Sequence, residues 1–142
     1  MGKVNLEEIQ TTTLKRVKVS GGDVLHGLKM SDPSFVGFGE AYFSIVNPGA
    51  VKAWKRHRQM TLNLMVPLGK VKFVFHDCHS GNFREEVIGQ SNYCRLTVPP
   101  LIWFGFQGID SVPSLLLNIS DIAHNPDEVE TRKLTTFTYN WS

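Results

Sequence analysis

Residues 49–69 read GAVKAWKRHRQMTLNLMVPLG, and the rest of the chain is best approached from this stretch. It holds two short runs, Val51 to His57 and Leu62 to Val66, closed at the far end by the turn residues Pro67-Leu68-Gly69. Side chains on a strand alternate between its faces, so Val51, Ala53, Lys55 and His57 share one face while Lys52, Trp54, Arg56 and Arg58 share the other. The small and apolar residues ahead of Lys55 make the first face the interior. That reading sends Lys55 and His57 inward.

Similar runs recur on both sides: Gly39 to Val46, Lys70 to His76, Glu85 to Ile88, Cys94 to Val98, Trp103 to Gln107 and Leu115 to Ile119. Between them stand turn formers, among them Asn47-Pro48-Gly49, Ser80-Gly81-Asn82, Gln90-Ser91-Asn92 and Asp110-Ser111. Thr11 to Val19 and Val24 to Leu28, separated by Gly21-Gly22-Asp23, read as a hairpin. The first ten residues form an arm or a short helical turn, and helix is otherwise expected only near Asn125 to Thr131. Many short strands with hardly any helical periodicity predict an all-β sandwich or barrel. With no repeat and no linker, residues 1–142 are expected to form one domain.

Composition narrows the function classes. The 15 basic and 13 acidic residues leave a formal charge of +2 with no like-charge block, which argues against nucleic acid or an anionic membrane as partner. The start, MGKVNLEEIQTTT, lacks the apolar run of a signal peptide, and Leu6 stands where a myristoylation signal at Gly2 needs Ser or Thr. The least charged stretch, Leu96 to Ile109, is interrupted by Pro99, Pro100 and Gly105 and is too short to span a bilayer. A cytoplasmic protein is therefore expected, with Cys78 and Cys94 as free thiols.

The spacing inside 49–69 resembles the first motif of cupin barrels: glycine, five residues, His-x-His, three or four residues, Glu, six residues, glycine. Here the series is Gly49, Lys55, His57, Leu62 and Gly69. The second cupin motif, Pro-x-Gly-x-x-His, is matched in outline by Pro99-Pro100-Leu101-Ile102-Trp103-Phe104. Three of the four metal positions thus carry Lys, Leu and Phe. A divalent ion needs three or four converging N, O or S donors, so a metal-free jelly-roll barrel is expected, with no other cofactor.

Phe38 to Ser44, Val51 to His57, Val98 to Phe106 and Leu115 to Asp121 fall in the order of the dTDP-4-dehydrorhamnose 3,5-epimerase family, which this chain resembles. Asn125-Pro126-Asp127-Glu128-Val129 is also similar to that family. The resemblance implies proton abstraction next to the ketone of a nucleoside-diphosphate 4-keto-6-deoxysugar, in the making of cell-surface polysaccharides such as lipopolysaccharide, by a homodimer. Its Arg-Gly-Leu-His run aligns with Lys52-Ala53-Trp54-Lys55, which puts Lys55 at the base position; the family's tyrosine acid aligns with Leu117.

On the residues themselves, Lys55 in a dry barrel would have its pKa lowered into the range of a base, and His57 could do the same work without tuning. Tyr42, Tyr93, Cys94 and Tyr139 are the candidate acids, Tyr42 being the one taken for the site. Lys52, Arg56 and Arg95 are candidate diphosphate clamps, and Glu40 and Asn63 complete the expected substrate contacts. His76-Asp77-Cys78-His79 has the look of a metal cluster, but successive strand residues point apart and are expected to bind none. Two classes follow: a metal-independent epimerase, with a 3,4-ketoisomerase as its neighbour, or a barrel that binds nucleotide sugar without catalysis.

Overall fold

The computed structural model describes residues 5–142. Residues 1–4, which include Gly2 and the start of the expected arm, lie outside the described residues. Leu6–Glu8 form a single 3-10 turn, opened by the Asn5 side chain, which accepts from the Glu7 backbone N–H at 2.8 Å.

Twelve strands follow: β1 (Gln10–Thr13), β2 (Arg16–Val17), β3 (Val24–Leu25), β4 (Glu40–Val46), β5 (Val51–His57), β6 (Leu62–Leu68), β7 (Lys70–His76), β8 (Phe83–Gly89), β9 (Cys94–Val98), β10 (Trp103–Gly108), β11 (Ser114–Ser120) and β12 (Val129–Thr131). Two antiparallel five-stranded sheets form, in the orders β1-β9-β6-β11-β4 and β12-β5-β10-β7-β8. Their facing sides close into the jelly-roll barrel of the cupin fold. The expected hairpin exists as β2–β3, whereas β1 leaves it to pair with β9.

Alternation builds the core. Leu62, Leu64 and Val66 of β6 point into the barrel to meet Val71, Phe73 and Phe75 of β7 and Leu96 and Val98 of β9, all of them buried. The two framing glycines of the first motif have a backbone reason. Gly49 and Gly69 sit at φ +77° and +86°, the left-handed region, and at Gly69 any side chain would collide with Ser114. Leu101, at the glycine place of the second motif, holds φ +74° with a side chain attached, and its N–H donates to the His57 carbonyl at 2.7 Å.

The helix expected near Asn125 to Thr131 is only one 3-10 turn, Pro126–Glu128, before the chain becomes β12. The reason is tertiary: β12 adds to the edge of β5, with Val129, Glu130 and Thr131 opposite His57, Arg56 and Lys55. Beyond it, residues 134–142 lie over the outer face of the same sheet, where Phe137, Tyr139 and Trp141 cover Trp54, Val74 and Trp103. No helix among the described residues is long and apolar enough to cross a membrane.

Candidate functional site

A cavity of about 420 Å³ occupies the barrel. Lys55, His57, Leu62 and Phe104, the four positions where cupins direct metal ligands, all line it. The motif spacing therefore keeps its geometry while the chemistry has changed. The wall also includes Tyr42 and Ser44 on β4, Leu116 and Asn118 on β11, Lys52 on β5 and Arg132 just past β12.

Strict alternation fails on β5. Phe104 pairs with Lys55 and Gly105 with Ala53, so three residues on β5 face two on β10, and Trp54 is the extra one. The bulge reverses the side-chain parity beyond it. Lys52 now pairs with Phe106 and joins it at the cavity, whereas Ala53, expected inside, borders the cavity and also packs with the outer aromatic cluster. Trp54 itself is 1% exposed beneath Phe137, Tyr139 and Trp141, and its Nε1–H donates to the Leu134 carbonyl at 3.1 Å.

His57 has a partner that sequence reading missed. Its Nδ1 lies 2.5 Å from Oε1 of Glu128, which is 3% exposed. The other carboxylate oxygen accepts from the backbone N–H groups of Gln59 and Met60, each at 3.2 Å. Burial would raise the Glu128 pKa, but the hydrogen bonds from His57, Gln59 and Met60 outweigh it and hold the group below the usual carboxylate range. For His57 burial dominates and lowers the pKa, against the pull of the carboxylate; the Lys55 charge lowers it further. With Glu128 ionised, the ring proton sits on Nδ1. Nε2 is then left with its lone pair, on a ring that borders the cavity.

Lys55 is not sealed in a dry interior as expected. It and Lys52 are exposed, because the cavity stays open to solvent along this side. Surrounding protein still lowers the Lys55 pKa, and the Lys52 charge lowers it further while Glu128 opposes both. On the other sheet Asn118 is 4% exposed, and its Oδ1 has no hydrogen-bond partner. Leu117, aligned with the family's tyrosine, alternates away from the cavity that Leu116 and Asn118 line.

Of the eight residues expected at the site, the fold brings Lys55, His57, Tyr42 and Lys52 together at the cavity. The other four stand elsewhere. Glu40 shares the strand face of Tyr42 and Ser44 but lies one step further on, opposite Ser120. Arg56 is on the outer face of its sheet, bound through Nε and Nη2 to Glu130 at 2.9 and 2.6 Å and 4.8 Å over the Trp103 ring. Asn63 and Arg95 face outward from β6 and β9: Asn63 accepts from Thr97 at 2.6 Å, and Arg95 donates to the Gly27 carbonyl and the Ser34 hydroxyl. They pin the 26–34 loop to the sheet.

Among the other candidate acids, Cys94 is core, Tyr93 donates to the His26 carbonyl, and Tyr139 binds Glu85 on the outer surface. In the 76–79 stretch, His76 stacks between Phe83 and Phe137 and Asp77 caps the following turn. Among the described residues no three His, Cys, Asp or Glu side chains gather in metal-ligating geometry. Purified protein is expected to carry no stoichiometric transition metal; elemental analysis finding about one zinc, iron or manganese per chain would contradict this.

A jelly-roll barrel of this kind, with its ligand positions given to Lys, His, Leu and Phe, defines a cupin that keeps one histidine of the usual metal set. No protein-family model matches the chain. The chain is similar to the crystal structure of a dTDP sugar isomerase from Desulfovibrio desulfuricans G20, with 36% identity, a TM-score of 0.90 and coverage of 95% of this chain and 91% of that one. It also shares its fold with the dTDP-6-deoxy-D-glucose-3,5-epimerase RmlC of Legionella pneumophila, at a TM-score of 0.78 and 13% identity over 94% of this chain and 77% of that one. The probable low-salt glycan biosynthesis epimerase Agl13 of Haloferax volcanii is 33% identical over 84 residues, 55% of this chain. That match spans only about half of the Haloferax protein, 54% of its length. The chain belongs to the RmlC-like cupin family of dTDP-sugar epimerases and isomerases.

Proposed function

We propose that the protein is a metal-independent epimerase of a nucleoside-diphosphate 4-keto-6-deoxysugar, acting in the cytoplasm in the supply of sugars for a cell-surface polysaccharide. The observation that carries this is the His57–Glu128 pair at a cavity that Lys55 also lines. The carbon next to a ketone is acidic because the electron pair of its C–H bond can move into the carbonyl. Neutral His57 takes that proton on Nε2, and the Lys55 ammonium stabilises the enolate oxygen that forms. Inversion requires the proton to return from the opposite side, and Tyr42 is the hydroxyl acid that the facing sheet brings to the cavity. Asn118, with its idle Oδ1, suits a sugar hydroxyl, and Lys52 with Arg132 suits the diphosphate.

A 3,4-ketoisomerase is the second reading, favoured by one feature. His57 and Lys55 stand on one wall, while the opposite wall presents Leu62, Leu64 and Leu116 around the polar side chains of Tyr42, Ser44 and Asn118. Chemistry confined to one face would return the proton from the side it left. The test is incubation with dTDP-4-keto-6-deoxyglucose in deuterium oxide, followed by NMR. Deuterium at C3 or C5 with inverted configuration is the expected result; a ketone moved to C3 assigns the isomerase, and no exchange with any 4-keto sugar nucleotide leaves the non-catalytic barrel.

A homodimer accompanies this reading. Among the described residues both edges of the β1-β9-β6-β11-β4 sheet are unpaired, and β4 carries Phe43 and Ile45 on its outer side at 62% and 58% exposure. Edge strands this poor in charge, with Glu40 alone on β4 and none on β1, invite a second copy. Light scattering is expected to give twice the chain mass, and Phe43→Lys with Ile45→Lys should give the single mass. A parent that stays monomeric at micromolar concentration would rule the dimer out.

A further inference from the structure

A second concavity, about 260 Å³, lies on the outer face of the β1-β9-β6-β11-β4 sheet, between β1, the Leu14–Lys15 link and the 26–32 loop. It shares no lining residue with the barrel cavity. Its charges are unbalanced. Lys15, Lys29 and Arg95 line it against a single carboxylate, Asp32, with His26 beside them.

That carboxylate is already engaged, since Asp32 Oδ2 accepts from the Lys29 backbone N–H at 2.8 Å and stands 3.4 Å from Arg95 Nη1. Arg95 is the telling group. It is 2% exposed, gives Nη1 to the Gly27 carbonyl at 2.6 Å and Nη2 to Ser34 Oγ at 2.8 Å, and keeps a buried Nε with no partner. A buried guanidinium with an idle N–H and one shared carboxylate is under-compensated. The lysines at the rim are exposed and free to turn inward.

We propose that this concavity is a second, anion-binding site that takes a phosphate dianion, free or as a phosphomonoester. Arg95 forms its floor and Lys15 and Lys29 close over it, as charge-assisted donors to phosphate oxygens do. The volume lies below the roughly 300–1,000 Å³ of pockets for drug-sized ligands, which suits a small anion and not a whole nucleotide sugar.

The test titrates inorganic phosphate and, separately, thymidine monophosphate into the full chain at low ionic strength, following backbone amide shifts by NMR. Because Lys52, Lys55 and Arg132 also attract anions, it is run in a Lys52→Ala/Lys55→Ala background. Saturable shifts at Thr12, Lys15, Gly27 and Lys29 are expected, weakened at least about tenfold by Lys15→Ala/Lys29→Ala. Both substitutions are on the surface, and an unchanged Tm shows that the loop is still in place. Equal affinity for the two probes assigns the site to phosphate itself, and preference for the monophosphate to an ester. Absence of shifts up to about 10 mM, a range that already admits weak binding, would overturn the proposal. So would shifts indifferent to the lysine substitutions.

Discussion

Replacing His57 with Asn is expected to slow solvent-deuterium exchange at the carbon next to the ketone by about a hundred- to ten-thousandfold, the usual cost of losing a general base. Burial holds the His57 pKa below its ordinary value, so the parent should keep its rate as pH falls until it passes below the ordinary imidazole value of about 6.5. The partners move that limb in opposite directions. Glu128→Gln removes the carboxylate that pulls the imidazole pKa up and should shift the limb to lower pH. Lys55→Ala removes a cation that pushes it down and should shift the limb to higher pH, while also slowing exchange through loss of enolate stabilisation.

Only His57→Asn should abolish the limb. A His57→Asn variant with parental exchange would remove this residue from the mechanism, and a limb that vanishes with Lys55→Ala instead would return the base to Lys55. The same shifts bear on stability. Folding lowers the pKa of both His57 and Glu128, so each favours the folded state above its unfolded pKa. That contribution is withdrawn as pH falls, first for the histidine and then for the carboxylate.

Trp54→Ala is expected to destabilise the protein by about 3–5 kcal/mol, the range for deleting a large buried aromatic. Trp54 is 1% exposed, with ring centroids 5.3 Å from Phe137 and 5.5 Å from Trp141, and its backbone exchanges hydrogen bonds with Arg132 at 3.1 and 3.0 Å. Removing the indole empties the space under the C-terminal segment and loosens the end of β12 that leads back to Glu128. Urea unfolding measures the loss, and faster proteolysis within residues 134–142 should accompany it. A loss below about 1 kcal/mol, the scale of an ordinary substitution, would mean that the aromatic cluster closes over the gap and that the segment is held by other contacts.

Much of this molecule is local and can be read along the chain. Strand periods, turn glycines and motif spacing are properties of neighbouring residues, so β5, β7 and β9 begin and end where the alternation says. The four motif positions converge on one cavity for the same reason: spacing along two paired strands is a ruler that sequence carries.

What sequence reading placed wrongly depends on contacts between distant segments. A single bulge at Trp54 turns Lys52 inward and sets Ala53 against the outer aromatic cluster, and it exists because β10 pairs across it, about fifty residues away in sequence. Arg95, Asn63 and Arg56 read as site residues because polar groups on strands suggest function; only packing reveals loops and carboxylates waiting for them on the outer faces.

Glu128 is the largest omission. Its stretch resembles the family's but has no strand period, and nothing local says that β12 will join β5 and bring a carboxylate to His57 across 71 positions of sequence. The chain itself determined a barrel with a cavity where Lys55 and His57 meet. The tertiary structure alone decided which of the two has a buried anion at its back, because a pKa belongs to an environment that only folding assembles.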